Sequence, residues 1–60
     1  MSRESFLKVY AGLPVNLRDE IVLVLPDHGP ITWKVANLEV SENTKLGQEI
    51  THKLEELGII

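Results

Sequence analysis

Phe6, Tyr10 and Leu13 stand at i, i+4 and i+7, with Val9 beside them, the spacing of one face of a helix. Ser2 offers an N-cap, and Glu4 places negative charge in the first turn, where the helix dipole favours it. Gly12 and Pro14 then interrupt the pattern, so a helix over about residues 3 to 12 is predicted. Residues 14–19 read as a short connecting turn, with Val15 and Leu17 as its apolar anchors.

The pattern then changes period. Glu20 to Leu25 contains the unbroken aliphatic run Ile21-Val22-Leu23-Val24-Leu25, made mostly of strand-forming residues and stopped by Pro26. Asp27-His28-Gly29 follows, and Gly29 suits the left-handed position of a three-residue hairpin loop, a type I turn closed by a bulge. Asp27 and His28 would form its exposed corner. Pro26 and Pro30 donate no backbone hydrogen bond, which confines both to strand ends or an edge. Beyond Pro30 two periods compete: Ile31, Trp33 and Val35 alternate as in a strand, whereas Trp33, Ala36 and Val40 have helical spacing with Thr32 as cap. The reading adopted is a very short strand over 30–32 followed by a helix from about 33 to 40.

Leu46, Ile50, Leu54 and Leu57 recur at i, i+4, i+8 and i+11, a single apolar stripe on a helix that starts near Asn43 or Thr44 and ends at Leu57. Gly58 fits the residue just past a helix end, with Ile59 folding back on Leu54. Gly47 lies beside the stripe at a cost of about 1 kcal/mol relative to Ala, as does Thr51 one turn on, so close approach of another backbone is expected there. That backbone is either the first helix or another chain, and packing within the chain is preferred. The order is helix, strand, strand, helix, helix: an α+β fold (α-β-β-α-α) in one small domain over residues 1–60.

Composition narrows the class. A chain of 60 residues buries only about 60% of the surface its unfolded form exposes. Cys is absent, so disulfides add nothing, and His28 and His52 are far apart in sequence. At 43% hydrophobic against 25% charged residues, the chain is too apolar for a disordered segment. A net charge of −3 with six basic residues spread singly argues against nucleic acid as a partner. No apolar run approaches the roughly 20 residues of a membrane span, and the N-terminal stretch lacks the features of a secretory signal. A cytoplasmic protein that does not enter a membrane is expected.

No residues group into a catalytic or metal site. Adjacent residues in a turn do not orient a His ring nitrogen on the neighbouring carboxylate, so Asp27 and His28 read as turn chemistry. His52 lies about 200° around the helix from Ile50, on the polar side. The carboxylate pairs Asp19-Glu20 and Glu55-Glu56 are sequence neighbours that diverge on a helix or strand. Glu55 and Glu56 oppose the dipole in the last turn, with Lys53 offsetting part of the effect. The four glycines do not cluster into a phosphate loop. No enzyme activity, no metal and no cofactor is expected.

The stretch Ile21 to Ala36 followed by Asn43 to Ile60 resembles a group of short, uncharacterised archaeal and bacterial proteins, over roughly residues 5 to 60. The likeness rests on Thr32-Trp33, Ala36, Asn43-Thr44, Leu46-Gly47, Ile50, Leu54 and Leu57-Gly58-Ile59-Ile60. Members have a more helix-forming stretch after the Trp, which Val35, Asn37 and Val40 dilute here. The resemblance implies no activity and transfers no functional residue.

The strand decides the functional expectation. A strand that buries one face alternates apolar with polar residues, whereas a continuous aliphatic run implies cover on both faces. Five aliphatics at about 1.5 to 3 kcal/mol each when buried are too much to leave wet, and a second copy of the chain is the simplest cover. A small interaction domain that forms a homodimer is expected, with Ile21, Leu23, Leu25, Ile31 and Trp33 at the interface and Val22 and Val24 facing the helices, or the faces reversed. The alternative is a monomeric adaptor or regulator, for instance an antitoxin-like one, that binds another protein, for example by strand addition.

Overall fold

The computed structural model describes residues 2–60, with Ser2 described by its backbone alone. The first helix, α1, spans Ser2–Ala11; the cap expected of the Ser2 side chain lies outside the described part. Phe6 is fully buried, and Leu7 and Tyr10 pack against the core. Val9, expected to widen the stripe, is exposed; Leu7 widens it on the other side. Phe6 stacks with both Tyr10 and Trp33, with ring centroids 6.2 and 5.9 Å away.

Val15–Leu17 forms a single 3₁₀ turn. Its expected anchors do not hold it: Val15 is 75% and Leu17 41% exposed. The segment is tied down by main-chain bonds, from Lys34 N–H to Arg18 O at 2.9 Å and from Trp33 N–H to Glu20 O at 3.0 Å, and by the Arg18 guanidinium 4.6 Å above the Tyr10 ring.

Strands β1, Ile21–Leu25, and β2, Gly29–Thr32, pair antiparallel as a two-stranded sheet. Pro26, Asp27 and His28 join them, His28 N–H donating to Leu25 O at 3.2 Å, and Gly29 takes the left-handed conformation at φ 78°. The register sets Leu25 against Gly29, Val24 against Pro30 and Leu23 against Ile31, then slips at Val22 so that Ile21 faces Thr32. That one-residue bulge breaks the alternation.

Helix α2 spans Trp33–Ser41 and begins where the sequence places it, with the Thr32 hydroxyl accepting from Val35 N–H at 3.2 Å. Helix α3 spans Lys45–Glu56. Between them Asn43 adopts φ 54°, which Asn tolerates better than most residues. Asn43 N–H donates to Val40 O and Thr44 N–H to Glu39 O, each at 3.1 Å, the paired bonds of a Schellman stop. Thr44 then caps α3 by accepting from Gly47 N–H at 3.0 Å, while its own hydroxyl donates to the Glu39 carboxylate. One threonine thus ends one helix and starts the next. At the far end Gly58, with φ 76°, and Ile59 repeat the stop, Ile59 N–H reaching Leu54 O at 2.9 Å.

Phe6, Leu23, Leu25, Ile31, Ala36, Val40, Ile50 and Leu54 form the core. Gly47 explains how α2 and α3 approach: a Cβ there would lie 2.3 Å from Glu39 O and 2.6 Å from Glu39 C. The close backbone belongs to α2, not to α1 or another chain. Thr51, one turn later, is buried and donates to the carbonyls of Gln48 and Gly47 at 3.0 and 3.2 Å. The fold is the α+β arrangement α-β-β-α-α.

Candidate interaction surface

The hairpin presents one face to the helices and one away from them. Leu23, Leu25 and Ile31, at 7, 3 and 5% exposure, lie in the chain's own core, so these three expected interface residues are not on its surface. The reversed assignment of faces is the one adopted, because the longer Leu and Ile side chains reach between Phe6, Ala36 and Leu54. Trp33 is half-buried and stacked on Phe6, a core residue with one open edge. Ile21 alone of the five remains well exposed, at 57%. The bulge at Val22 puts it out of phase with Leu23, while Val22 itself packs against the edge of the core.

Val24 takes the place those residues were expected to hold, at 62% exposure with exposed Pro30 directly across from it. Ile21 lies across from Thr32, and the Thr32 cap leads into the first turn of α2, where Val35 is exposed; Leu38 follows one turn on. Val24 and Pro30 thus share the outer face of the hairpin, Ile21 stands exposed across from Thr32, and Val35 and Leu38 are exposed on α2; none of the five carries a charge. Sequence reasoning missed Val35 and Leu38 because the helical period was used only to find the buried face of α2. It missed Val24 because both faces of β1 are apolar, so hydrophobicity does not tell them apart.

The main chain adds a second asymmetry. Proline has no N–H, so Val24 and Pro30 form a non-hydrogen-bonded pair, and the ladder bonds run through Leu23 with Ile31 and Leu25 with Gly29. The N–H and C=O of Val24 consequently point out of the β1 edge, away from β2. The opposite edge of β2 lacks a donor at Pro30 and gives way to α2 after Thr32.

The charged groups are dispersed. Lys34 and Asp19 approach to 3.4 Å, both largely exposed, a geometry worth about 0.2 to 1 kcal/mol at most. Glu56 lies 3.5 Å from His52 and 3.7 Å from Lys53 on the surface of α3. Asp27 and His28 are exposed at the hairpin tip. Among the described residues no three His, Cys, Asp or Glu side chains gather as a metal site requires. A cleft of about 90 Å³ lies between the start of α1 and the α2–α3 junction. Its one charged side chain, Arg3, donates to Val40 O and Ser41 O at 3.3 Å, covering the last carbonyls of α2.

The chain is thus a small α+β domain whose outer hairpin face is apolar and whose β1 edge is open. No family model, curated protein or solved structure matches it. Among the described residues no helix is long and apolar enough to cross a membrane.

Proposed function

We propose that the protein is a non-catalytic association domain that pairs with a second copy of itself through the outer face of its hairpin. The observation that carries this reading is the exposure of Ile21 and Val24 on the hairpin, with exposed Pro30 across from Val24 and Val35 and Leu38 exposed on α2. Exposed apolar side chains scattered singly are ordinary, whereas contiguous ones mark contact surfaces. Among the described residues the acids are dispersed, the two histidines are separated, and the small cleft is lined by Arg3, Val40, Asn43, Gly47, Gln48 and Thr51, which favours association over catalysis. A net charge of −3, with the six Lys and Arg spread singly along the sequence, favours a protein over nucleic acid as the partner.

The magnitudes set the strength of the contact. Completing the burial of four half-exposed aliphatic side chains gains about 1 kcal/mol each, or about 8 kcal/mol over two copies. Association costs an estimated 4 kcal/mol or more, which leaves about 4 kcal/mol at most, so a reversible dimer of about millimolar affinity or weaker follows. The test is light scattering on the eluting protein for the parent and for the Ile21→Lys/Val24→Lys double variant. A parent mass that rises with loading and a variant fixed at 6.8 kDa are expected. A parent that stays at one chain mass at several millimolar overturns the reading and favours the monomeric adaptor, whose exposed side chains would engage a different protein.

A further inference from the structure

The buried positions of α2 and α3 share one phase. Ala36, Val40, Asn43, Gly47, Ile50 and Leu54 follow at alternating steps of four and three residues, the heptad spacing of a single helical stripe, although the chain turns back at Asn43. Two helices folded against each other need no common phase through the turn that joins them. The turn is also lightly encoded. Glu42 is already helical, so only Asn43, at φ 54°, and the ψ of Thr44, at 167°, depart from helical backbone. Residues 41–45 contain neither Gly nor Pro, whereas the stop after α3 uses Gly58; a left-handed Asn is tolerated but less favoured than Gly. Straightening would make the N–H groups of Lys45 and Leu46, in the first turn of α3, the helical partners of the last carbonyls of α2, at Ser41 and Glu42. The bonds given up are those from Arg3 to Val40 O and Ser41 O and the Thr44 cap.

We infer that the chain has a second form in which residues 33–56 make one helix and α3 leaves its own core to pack on α2 of another copy, each copy receiving the other's α3. Such a helix is about 36 Å long at 1.5 Å per residue. The longest dimension of the folded chain is 27 Å, so a straightened α3 is carried beyond its own core. The place it vacates specifies the occupant. The α2 backbone at Glu39 leaves no room for a Cβ at position 47, and an identical α3 brings that glycine with Ile50 and Leu54 at the following turns. Positions 39 and 47 lie equally far on either side of 43, so two straightened helices crossing antiparallel at Asn43 make the contact twice about a two-fold axis. A single Asn among apolar heptad positions is also the residue that fixes register in paired helices. The same core therefore forms within one chain or between two, and chain concentration during folding decides which. This exchange uses neither Ile21 nor Val24 and is separate from contact through the hairpin.

The test is to refold the full chain from urea at micromolar and at millimolar concentration, dilute it in the cold, and measure mass by light scattering on the eluting protein. Exchange requires α3 to leave a core in which Ile50 and Leu54 are fully buried, so the exchanged dimer outlives dilution, whereas a contact through the outer face dissociates at once. A dimer is expected from the concentrated sample alone, and equally from the Ile21→Lys/Val24→Lys double variant. Asn43→Gly suits the left-handed turn and weakens a continuous helix, so the dimeric fraction should fall at least about tenfold. Lys45→Pro should abolish the dimer and leave the melting temperature of the monomer unchanged. Proline is favoured at the first helical position, and Thr44 already holds the extended conformation that precedes it, but proline has no N–H for Ser41 O. In a dimer refolded from isotope-labelled and unlabelled chains, the NOE between Gly47 and Glu39 should run between chains. A parent that refolds only to monomer at both concentrations, a Lys45→Pro chain that dimerises like the parent, or a Gly47–Glu39 NOE confined to one chain overturns the exchange. None of these outcomes touches association through the hairpin, which the parent and double variant decide without refolding.

Discussion

Replacing Gly47 by Ala sets two effects against each other. Alanine is the better helix former by about 1 kcal/mol, so on propensity alone the variant should be more stable. The added methyl, however, would sit 2.3 Å from Glu39 O, 2.6 Å from Glu39 C and 2.9 Å from Val40 N. These are backbone atoms inside α2, so no side-chain rotation relieves the overlap. The helices must move apart, loosening Val40, Ile50 and Leu54, all at 2% exposure or less. Overpacking of this kind costs typically 1 to 3 kcal/mol, and contact with fixed backbone belongs at the upper end. The net expectation is a loss of about 2 kcal/mol, or a melting temperature lower by about 10 °C for a domain of this size. Thermal and urea unfolding followed by the fluorescence of Trp33 measures it. Gly12→Ala is the control: its new methyl meets nothing closer than 3.8 Å, and it should be neutral or stabilising by a few tenths of a kcal/mol. A Gly47→Ala protein as stable as the parent, or more so, would refute the helix contact described.

Three further outcomes follow from the same structure. Leu23→Ala should cost about 3 kcal/mol in urea unfolding, whereas Val24→Ala, one residue on, should stay within about 0.5 kcal/mol for the monomer; equal losses would mean the faces of β1 are misassigned. Thr44→Ala removes the α3 cap and the hydroxyl partner of Glu39, so a loss of about 1 to 2 kcal/mol is expected, with Thr44→Ser recovering most of it. Thr32→Ala should cost about 1 kcal/mol and reduce the helical circular dichroism contributed by α2.

The helices were legible because their boundaries are chemical: Thr32 and Thr44 accept from the N–H three residues on, and Gly58 takes a left-handed φ. The hairpin was legible from Gly29 between two prolines. The dual use of Thr44, with Asn43 left-handed between two helices, was not foreseen, since capping patterns treat each helix alone. The two faces of β1 were read half correctly. Leu23, Leu25 and Ile31 were rightly grouped on one face, but in an all-aliphatic strand the period does not say which face the helices cover. The bulge at Val22 was invisible as well, because a slipped register leaves no mark on a uniformly apolar run; it moved Ile21 from the expected group to the exposed side. What the run did signal, two apolar faces on one strand, is the feature that leaves Val24 and Ile21 exposed.

Sedimentation equilibrium of the unmodified chain over roughly 0.1 to 5 mM, the range in which a contact of this size should titrate, tests that reading most directly. The account predicts a weight-average mass that climbs from 6.8 kDa towards twice that value and fits a single monomer–dimer equilibrium. A mass that stays at one chain over the whole range would contradict it.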